Sequence, residues 1–175
     1  MPPIDPLLTP RLRLRALTLA DAPFLLDLLN DPGYLQHIGD RGVRCEADAR
    51  RYLADGPLAS YRRYGHGLLL AELRDDATPI GICGLLKRDT LDDIDLGYAL
   101  MPAFRGCGYV HEAAQALLAH AQAQLGVTRV VAVVAPGNAA SEQVLQRLGF
   151  AFERCVALGS GETPLRLFAH EAKAH

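Results

Sequence analysis

Arg105, Gly106 and Gly108 share one short segment, and their surroundings give it a chemistry. Ile94–Met101 is apolar and partly alternating, which predicts a strand closed by Pro102. From Tyr109 onward alanine and leucine recur at helical spacing. A strand, a tight loop over Ala103–Gly108 and a helix start would aim several backbone N–H groups at one place, at the positive end of a helix dipole. Such a place suits an anion, most often a phosphate. Glycine removes the Cβ that would hold a ligand off the backbone. Cys107 lies in the same loop, but no His or Asp motif partners it as a nucleophile.

Three phosphate ligands can be weighed against residue types. A nucleoside triphosphate loop needs G-x-x-x-x-G-K-[ST], and this loop has no lysine and no hydroxyl at that place, a poor fit. A dinucleotide site needs G-x-G-x-x-G and an acid further on. Here His111 stands in place of the third glycine and the next strand is Arg129–Ala135, a weak fit. The third candidate is a pyrophosphate diester held mainly by backbone N–H groups, with an arginine nearby.

The elements that must position this loop read as follows. Residues 1–10 are proline-rich, a loose lead-in. Leu12, Leu14 and Ala16 alternate with Arg11, Arg13 and Arg15, a strand with one apolar face. Thr18 precedes Asp21 by three and opens a helix carrying Phe24, Leu25, Leu28 and Leu29, which Asp31-Pro32-Gly33 breaks. Tyr34–Val43 reads as a loop. A second helix starts near Glu46, is interrupted at Gly56-Pro57, and a short piece runs to Arg63. Strands follow at Leu68–Arg74 and Ile80–Lys87, with Gly81 and Gly84 marking a bulge or a close backbone approach. After the Tyr109–Leu125 helix, Gly126 suits a C-terminal cap and Arg129–Ala135 is apolar on both faces, a central strand. A helix over Ala139–Leu148 and a hairpin, Phe150–Leu158 with Leu165–Ala169, close the chain. Strand, crossover helix and strand favour a parallel pair, and the flanking hairpins are antiparallel. The expected fold is α+β (or α/β): a mixed, mostly antiparallel sheet of about seven strands with a central parallel pair and helices on both faces.

The 175 residues suggest one domain over 1–175, with a core near 9–169. A net charge of −2 without a Lys/Arg run argues against nucleic acid as a partner. Met1–Pro10 has no apolar h-region and no run approaches a membrane span, so neither a signal peptide nor a membrane partner is expected. Cys45, Cys83, Cys107 and Cys155 show no C-x-x-C spacing. Neither a metal nor a redox pair is expected, and reduced thiols in a cytoplasmic protein are.

Arg105-Gly-Cys-Gly-Tyr-Val110 resembles the R/Q-x-x-G-x-G/A pyrophosphate loop of the GNAT superfamily of acetyl-CoA-dependent N-acetyltransferases. Thr9-Pro-Arg-Leu-Arg-Leu-Arg15 is similar to the opening strand of the subfamily with the ribosomal-protein N-terminal acetyltransferases. Leu96-Gly-Tyr-Ala-Leu100 is similar to its fourth strand. Asn138-Ala-Ala-Ser141 and Leu148-Gly-Phe150 resemble its closing block. Val110 departs from the pattern, which has Gly or Ala there, and its branched side chain is expected to narrow the loop and weaken coenzyme binding.

The resemblance implies a transferase, an acyltransferase moving acetyl from acetyl-CoA to an amine acceptor, a peptide N-terminus or a small molecule. The alternative is a non-catalytic CoA-binding regulator. Arg105, Gly106, Cys107, Gly108, Tyr109 and Val110 would hold the pyrophosphate. Asn138 would contact the pantetheine arm, and it also suits an N-cap. The two central strands would part at their C-terminal ends, freeing backbone near Leu100 and Met101 for the pantetheine and the oxyanion. Ser141 would protonate the leaving thiolate. Only a neutral amine attacks a thioester, so a base is needed. Asp95 is the candidate, against a reading as a solvent-facing turn residue, and Glu72 is a weaker one. Tyr34 and His37 would contact the acceptor. The family also admits a homodimer.

Overall fold

The computed structural model describes residues 3–173. The chain opens on β1 (Leu7–Leu8), antiparallel to β2 (Leu12–Ala16). Residues 1–10 are thus not all a loose lead-in. Thr9 is buried, and its hydroxyl both accepts from the Leu12 N–H and donates to Glu112. On β2, Leu12 and Leu14 are fully buried while Arg13 is exposed, the alternation the sequence shows.

Four helices come next. A 3₁₀ turn at Leu19–Asp21, where Asp21 accepts from the Thr18 N–H at 2.8 Å, leads into α1 (Ala22–Leu29). The segment expected as a loop begins inside a helix, α2 (Pro32–His37). Asp31-Pro32-Gly33 does follow the end of α1 at Leu29, and it also opens α2. Asp31 is an N-cap whose carboxylate accepts from the Tyr34 N–H, and Pro32 occupies the first helical position, where no N–H is needed. α3 (Glu46–Asp55) and α4 (Pro57–Tyr64) meet at Gly56, as the sequence indicates.

β3 (Leu68–Leu73), β4 (Pro79–Leu86) and β5 (Ile94–Leu100) form an antiparallel meander. Then come α5 (Tyr109–Leu125), β6 (Arg129–Val134), α6 (Ala139–Arg147), and the hairpin of β7 (Ala151–Val156) and β8 (Leu165–Glu171). The sheet runs β1-β2-β3-β4-β5-β6-β8-β7, eight strands with β5–β6 the one parallel pair among the described residues. The expected mixed sheet is present, with Leu7–Leu8 supplying a strand beyond the seven. On β4 the glycines mark close approach, and a bulge lies next to Gly81. A Cβ on Gly81 would lie 2.2 Å from the Ala99 carbonyl oxygen, and next to it Ile80 is the extra residue where Ala71 and Glu72 of β3 pair with Gly81 and Pro79.

The core has two halves, one on each face of the sheet. Leu69, Leu85, Leu96, Val130 and Phe168 pack against α5 and α6; Leu68, Leu70, Ile82 and Ala99 pack against α1, α2 and α3. α5 buries Ala113, Ala114, Leu117 and Ala121, small residues that let it lie close to the strands. Enlarging Ala114 to Leu should overpack that seam and cost about 1–3 kcal/mol. Among the described residues no helix is long and apolar enough to cross a membrane.

Candidate active site

β5 and β6 are paired at only two positions, Ile94 with Val130 and Asp95 with Val131. Beyond them β5 stays on β4 as far as Leu100, and β6 stays on β8 as far as Val134. Each strand follows its outer neighbour, so the two part and leave a wedge between them. A cleft of about 1340 Å³ includes this wedge. Its walls are Leu96–Leu100, Ala132–Ala135, the loop before α5, Asn138 and Ser141 on one side, and residues of α2, α3 and α4 on the other.

The loop is held in shape by its own backbone. Gly106 has φ +74° and Gly108, which precedes α5, has φ +81°. L side chains are strained in this left-handed region, so both positions require glycine before any ligand is considered. Side chains then brace the loop from two directions. Arg105 donates to the Leu100 carbonyl at 3.2 Å and pairs with Asp31, so its guanidinium ties the loop to the cap of α2. Arg11 donates to the Cys107 carbonyl at 3.0 Å, pairs with Glu112 at 2.7 Å, and lies 4.3 Å from the Tyr109 ring centroid. Burial alone would raise the Glu112 pKa. Hydrogen bonds from Thr9 and from the Arg11 N–H and guanidinium overcome it and hold the carboxyl below its ordinary range. The Cys107 side chain is exposed and does not line the cleft, whereas Gly106, Gly108, Tyr109 and Val110 do. Val110 is half-buried and also packs against the core, which fixes its branched side chain beside the loop.

On the wedge, Met101 differs from expectation. Its N–H donates to the Ile80 carbonyl of β4 at 2.8 Å, so it is already paired. Successive residues of a strand turn their N–H groups to opposite sides. The N–H groups facing the wedge are therefore those of Leu100 and Tyr98. Asn138 caps α6: its side-chain oxygen accepts from the Ser141 N–H at 3.3 Å, which leaves the amide NH₂ on the other branch.

Ser141 has a partner that sequence reasoning missed. The Tyr98 hydroxyl lies 2.6 Å from Ser141 Oγ, bridging β5 and α6 across the wedge. Burial pushes the Tyr98 phenol up to about 12. The signal was available: Tyr98 shares a face of β5 with Leu96 and Leu100, and a tyrosine on an apolar face needs a hydroxyl partner.

Asp95 is not a solvent-facing turn residue. It is 1% exposed and sits where β5 and β6 part. One oxygen is paired with Arg88. The other, Oδ1, is the one buried side-chain polar atom among the described residues with no hydrogen-bond partner. Burial raises its pKa, with the charge and hydrogen bond of Arg88 opposing. Glu72, by contrast, does not line the cleft and is held by Arg15 at 3.1 Å and Arg13 at 3.5 Å. Tyr34 and His37 both reach the cleft from α2, Tyr34 deeply buried and His37 half-buried. Arg41 and Tyr52, which the sequence gave no reason to select, line the same wall.

Comparison with known proteins agrees with this geometry. Residues 11–151 match the family described as the acetyltransferase (GNAT) domain. The uncharacterized protein YkkB of Bacillus subtilis (strain 168) is 27% identical over 153 residues, covering 86% of this chain and 87% of that protein. The crystal structure of an acetyltransferase from Agrobacterium tumefaciens superposes with a TM-score of 0.81 at 26% identity, covering 98% of this chain and 96% of that one. RimL, a ribosomal L7/L12 alpha-N-protein acetyltransferase solved with coenzyme A, shares the fold with a TM-score of 0.82 at 21% identity, covering 96% and 98%.

Proposed function

The chain belongs to the GNAT acetyltransferase family, and on that premise we propose that it moves the acetyl group of acetyl-CoA directly to a primary amine, a peptide N-terminal α-amine or a small amine. The observation that carries this reading is the wedge between β5 and β6, which opens beside the positive-φ loop and has the Tyr98–Ser141 hydroxyl pair on its wall. Use of acetyl-CoA is supported by the coenzyme A found with RimL, and an α-amine acceptor by that protein's name.

Each part of the cleft then has a task. The N–H groups over Gly106–Val110, at the start of α5, receive the pyrophosphate. The wedge receives the pantetheine, with the Asn138 amide beside it. Asp95 takes the proton of the incoming ammonium; a carboxylate with a raised pKa and an unpartnered oxygen suits that task. The neutral nitrogen attacks the thioester carbon, and the Leu100 N–H steadies the oxyanion. As the C–S bond breaks, Ser141 Oγ delivers a proton to the thiolate and Tyr98 replaces it; the second proton, shed by the nitrogen as it becomes an amide, restores the phenol through solvent, and the one held by Asp95 leaves to solvent. A phenol at about 12 remains protonated at neutral pH, so the pair stays ready to donate. Holding amine and thioester together supplies much of the rate.

The test is thiol release from acetyl-CoA with an amine panel, with the products weighed by mass spectrometry. Acetylated amine with unmodified protein is expected. Acetyl-CoA binding with no turnover on any amine would leave the regulator reading standing, and an acetyl-cysteine trapped in a single turnover would sink direct transfer.

A further inference from the structure

The helical wall of the cleft holds a guanidinium without a carboxylate. Arg41 lies in the turn between α2 and α3, and its neighbours there are phenols: Nε donates to the Tyr34 hydroxyl at 3.4 Å, and Tyr52 stands close by. The carboxylate next to it in sequence, Asp40, is engaged by Arg44 and by the Gly42 N–H. Glu162, approaching from the β7–β8 loop, influences Arg41 only weakly and forms no ion pair with it among the described residues. Of the other arginines on the same cleft, Arg88 is partnered by Asp95 and Arg105 by Asp31, while Arg63 lies over the Tyr64 ring and Arg147 ends α6, both without an ion pair among the described residues; Arg41 differs from these two in being hydrogen-bonded to the buried Tyr34. Burial, first, and then the Tyr34 phenol push Tyr52 well above its usual pKa, while both Arg41 and Arg88 pull against that shift. Tyr52 thus shares the cleft with both Arg41 and Arg88 and feels the charge of each, and its hydroxyl is a neutral donor.

Two groups on the cleft near Tyr52 are therefore incompletely met by protein partners. One is the buried Asp95 oxygen with no hydrogen bond, the other the exposed Arg41 guanidinium, whose protein hydrogen bond is to a phenol. A buried carboxylate oxygen without a hydrogen bond calls for a donor, which an ammonium supplies, and a guanidinium without a carboxylate calls for an anion. We propose that the acceptor is an amine that also carries a carboxylate, its ammonium directed to Asp95 and its carboxylate to Arg41 with the Tyr34 and Tyr52 hydroxyls beside it. Plain alkylamines, polyamines and amino sugars lack the second group. A free α-amino acid and a peptide N-terminus with a nearby acidic residue both have it.

This rests on the acetyl-transfer reading, so the test has one arm that needs no chemistry. Matched pairs are compared: a free amino acid against its amide, and a short peptide with Glu at its second position against the same peptide with Gln. For each pair, kcat/KM with acetyl-CoA and equilibrium affinity for the CoA-loaded protein are measured. The carboxylate member of at least one pair should be favoured by about tenfold or more, the scale of a charge-assisted hydrogen bond. That ratio should fall to about one in Arg41→Ala and be partly recovered in Arg41→Lys. Preference in the amino-acid pair alone identifies a small substrate, and preference in the peptide pair alone identifies an acidic N-terminus. Ratios near one in the wild type for both pairs, or a ratio that survives in Arg41→Ala, overturn the proposal. Binding preference without turnover would instead count against the transfer reading while upholding the anion site.

Discussion

The two ends of the cleft are built from different materials. At the loop end the working groups are backbone: N–H groups before and within the first turn of α5, and strand edges left unpaired where β5 leaves β6. Side chains there mostly brace, as Arg105 and Arg11 do. At the helical end the working groups are side chains from separated parts of the chain, with Tyr34, Arg41, Tyr52, Arg88 and Asp95 brought together by packing. A backbone site tolerates most side-chain changes except those that alter φ. A side-chain site is altered by any of its members. The first suits a ligand that stays the same across relatives, the second one that varies.

The largest effect should come from the side-chain end. Asp95→Asn should lower kcat/KM for the amine by about 10²-fold or more, as loss of a general base does, while leaving acetyl-CoA affinity nearly unchanged. The wild-type rate should fall as pH drops through the raised Asp95 value, and this acid limb should vanish in the variant. An unchanged limb would show that another group is the base.

Gly108→Val tests the backbone end. Forcing a β-branched residue to φ +81° should cost about 1–2 kcal/mol of stability and raise KM for acetyl-CoA severalfold. Cys107→Ala, in the same loop, should alter neither. If the two variants behave alike, the contrast between backbone and side-chain sites fails.

A smaller effect is expected at Val110. Val110→Ala should tighten acetyl-CoA binding by about two- to fivefold, roughly 0.5–1 kcal/mol, by opening space beside the loop. No change in affinity would mean that the core packing of Val110 already keeps its methyls off the phosphates.

The smallest effect concerns Glu112. Its folded pKa is lowered, so its contribution to stability is complete above the ordinary value of 4.5 and is lost as pH falls through the lowered one. Glu112→Gln should lower Tm at neutral pH, where the contribution is complete, and flatten the decline on the acid side, so that the two proteins converge at low pH. A decline of unchanged steepness would place the acid sensitivity elsewhere.

The same contrast decides how much could be read from sequence. Gly106, Gly108 and the start of α5 are contiguous, and their constraint is local, so the loop and helix are legible to the residue. The parting of β5 from β6 was expected from the family resemblance alone, since strand order does not dictate it. Asp95 was ambiguous because a strand's first residues look like a turn when Asp92 and Asp93 precede them, and only the sheet shows it buried. α2 was missed because Asp-Pro-Gly serves equally as a helix start and a helix stop, and the choice is made by Asp31 finding both the Tyr34 N–H and Arg105. The Tyr98–Ser141 pair spans forty-three positions. Arg41 carries no local pattern, and its meaning lies in which carboxylates are already engaged.

Asp31 joins the two ends. Its carboxylate caps the helix that carries Tyr34 and also holds the arginine of the phosphate loop. Occupancy at one end is thereby linked to order at the other. If a ligand on the loop draws Arg105 away, α2 loses part of its cap's environment; if it fixes Arg105, α2 is fixed with it. Linkage is reciprocal, so the factor by which the first ligand alters affinity for the second equals the factor in the opposite direction. One carboxylate thus bears on how strongly each ligand favours the other, whichever arrives first.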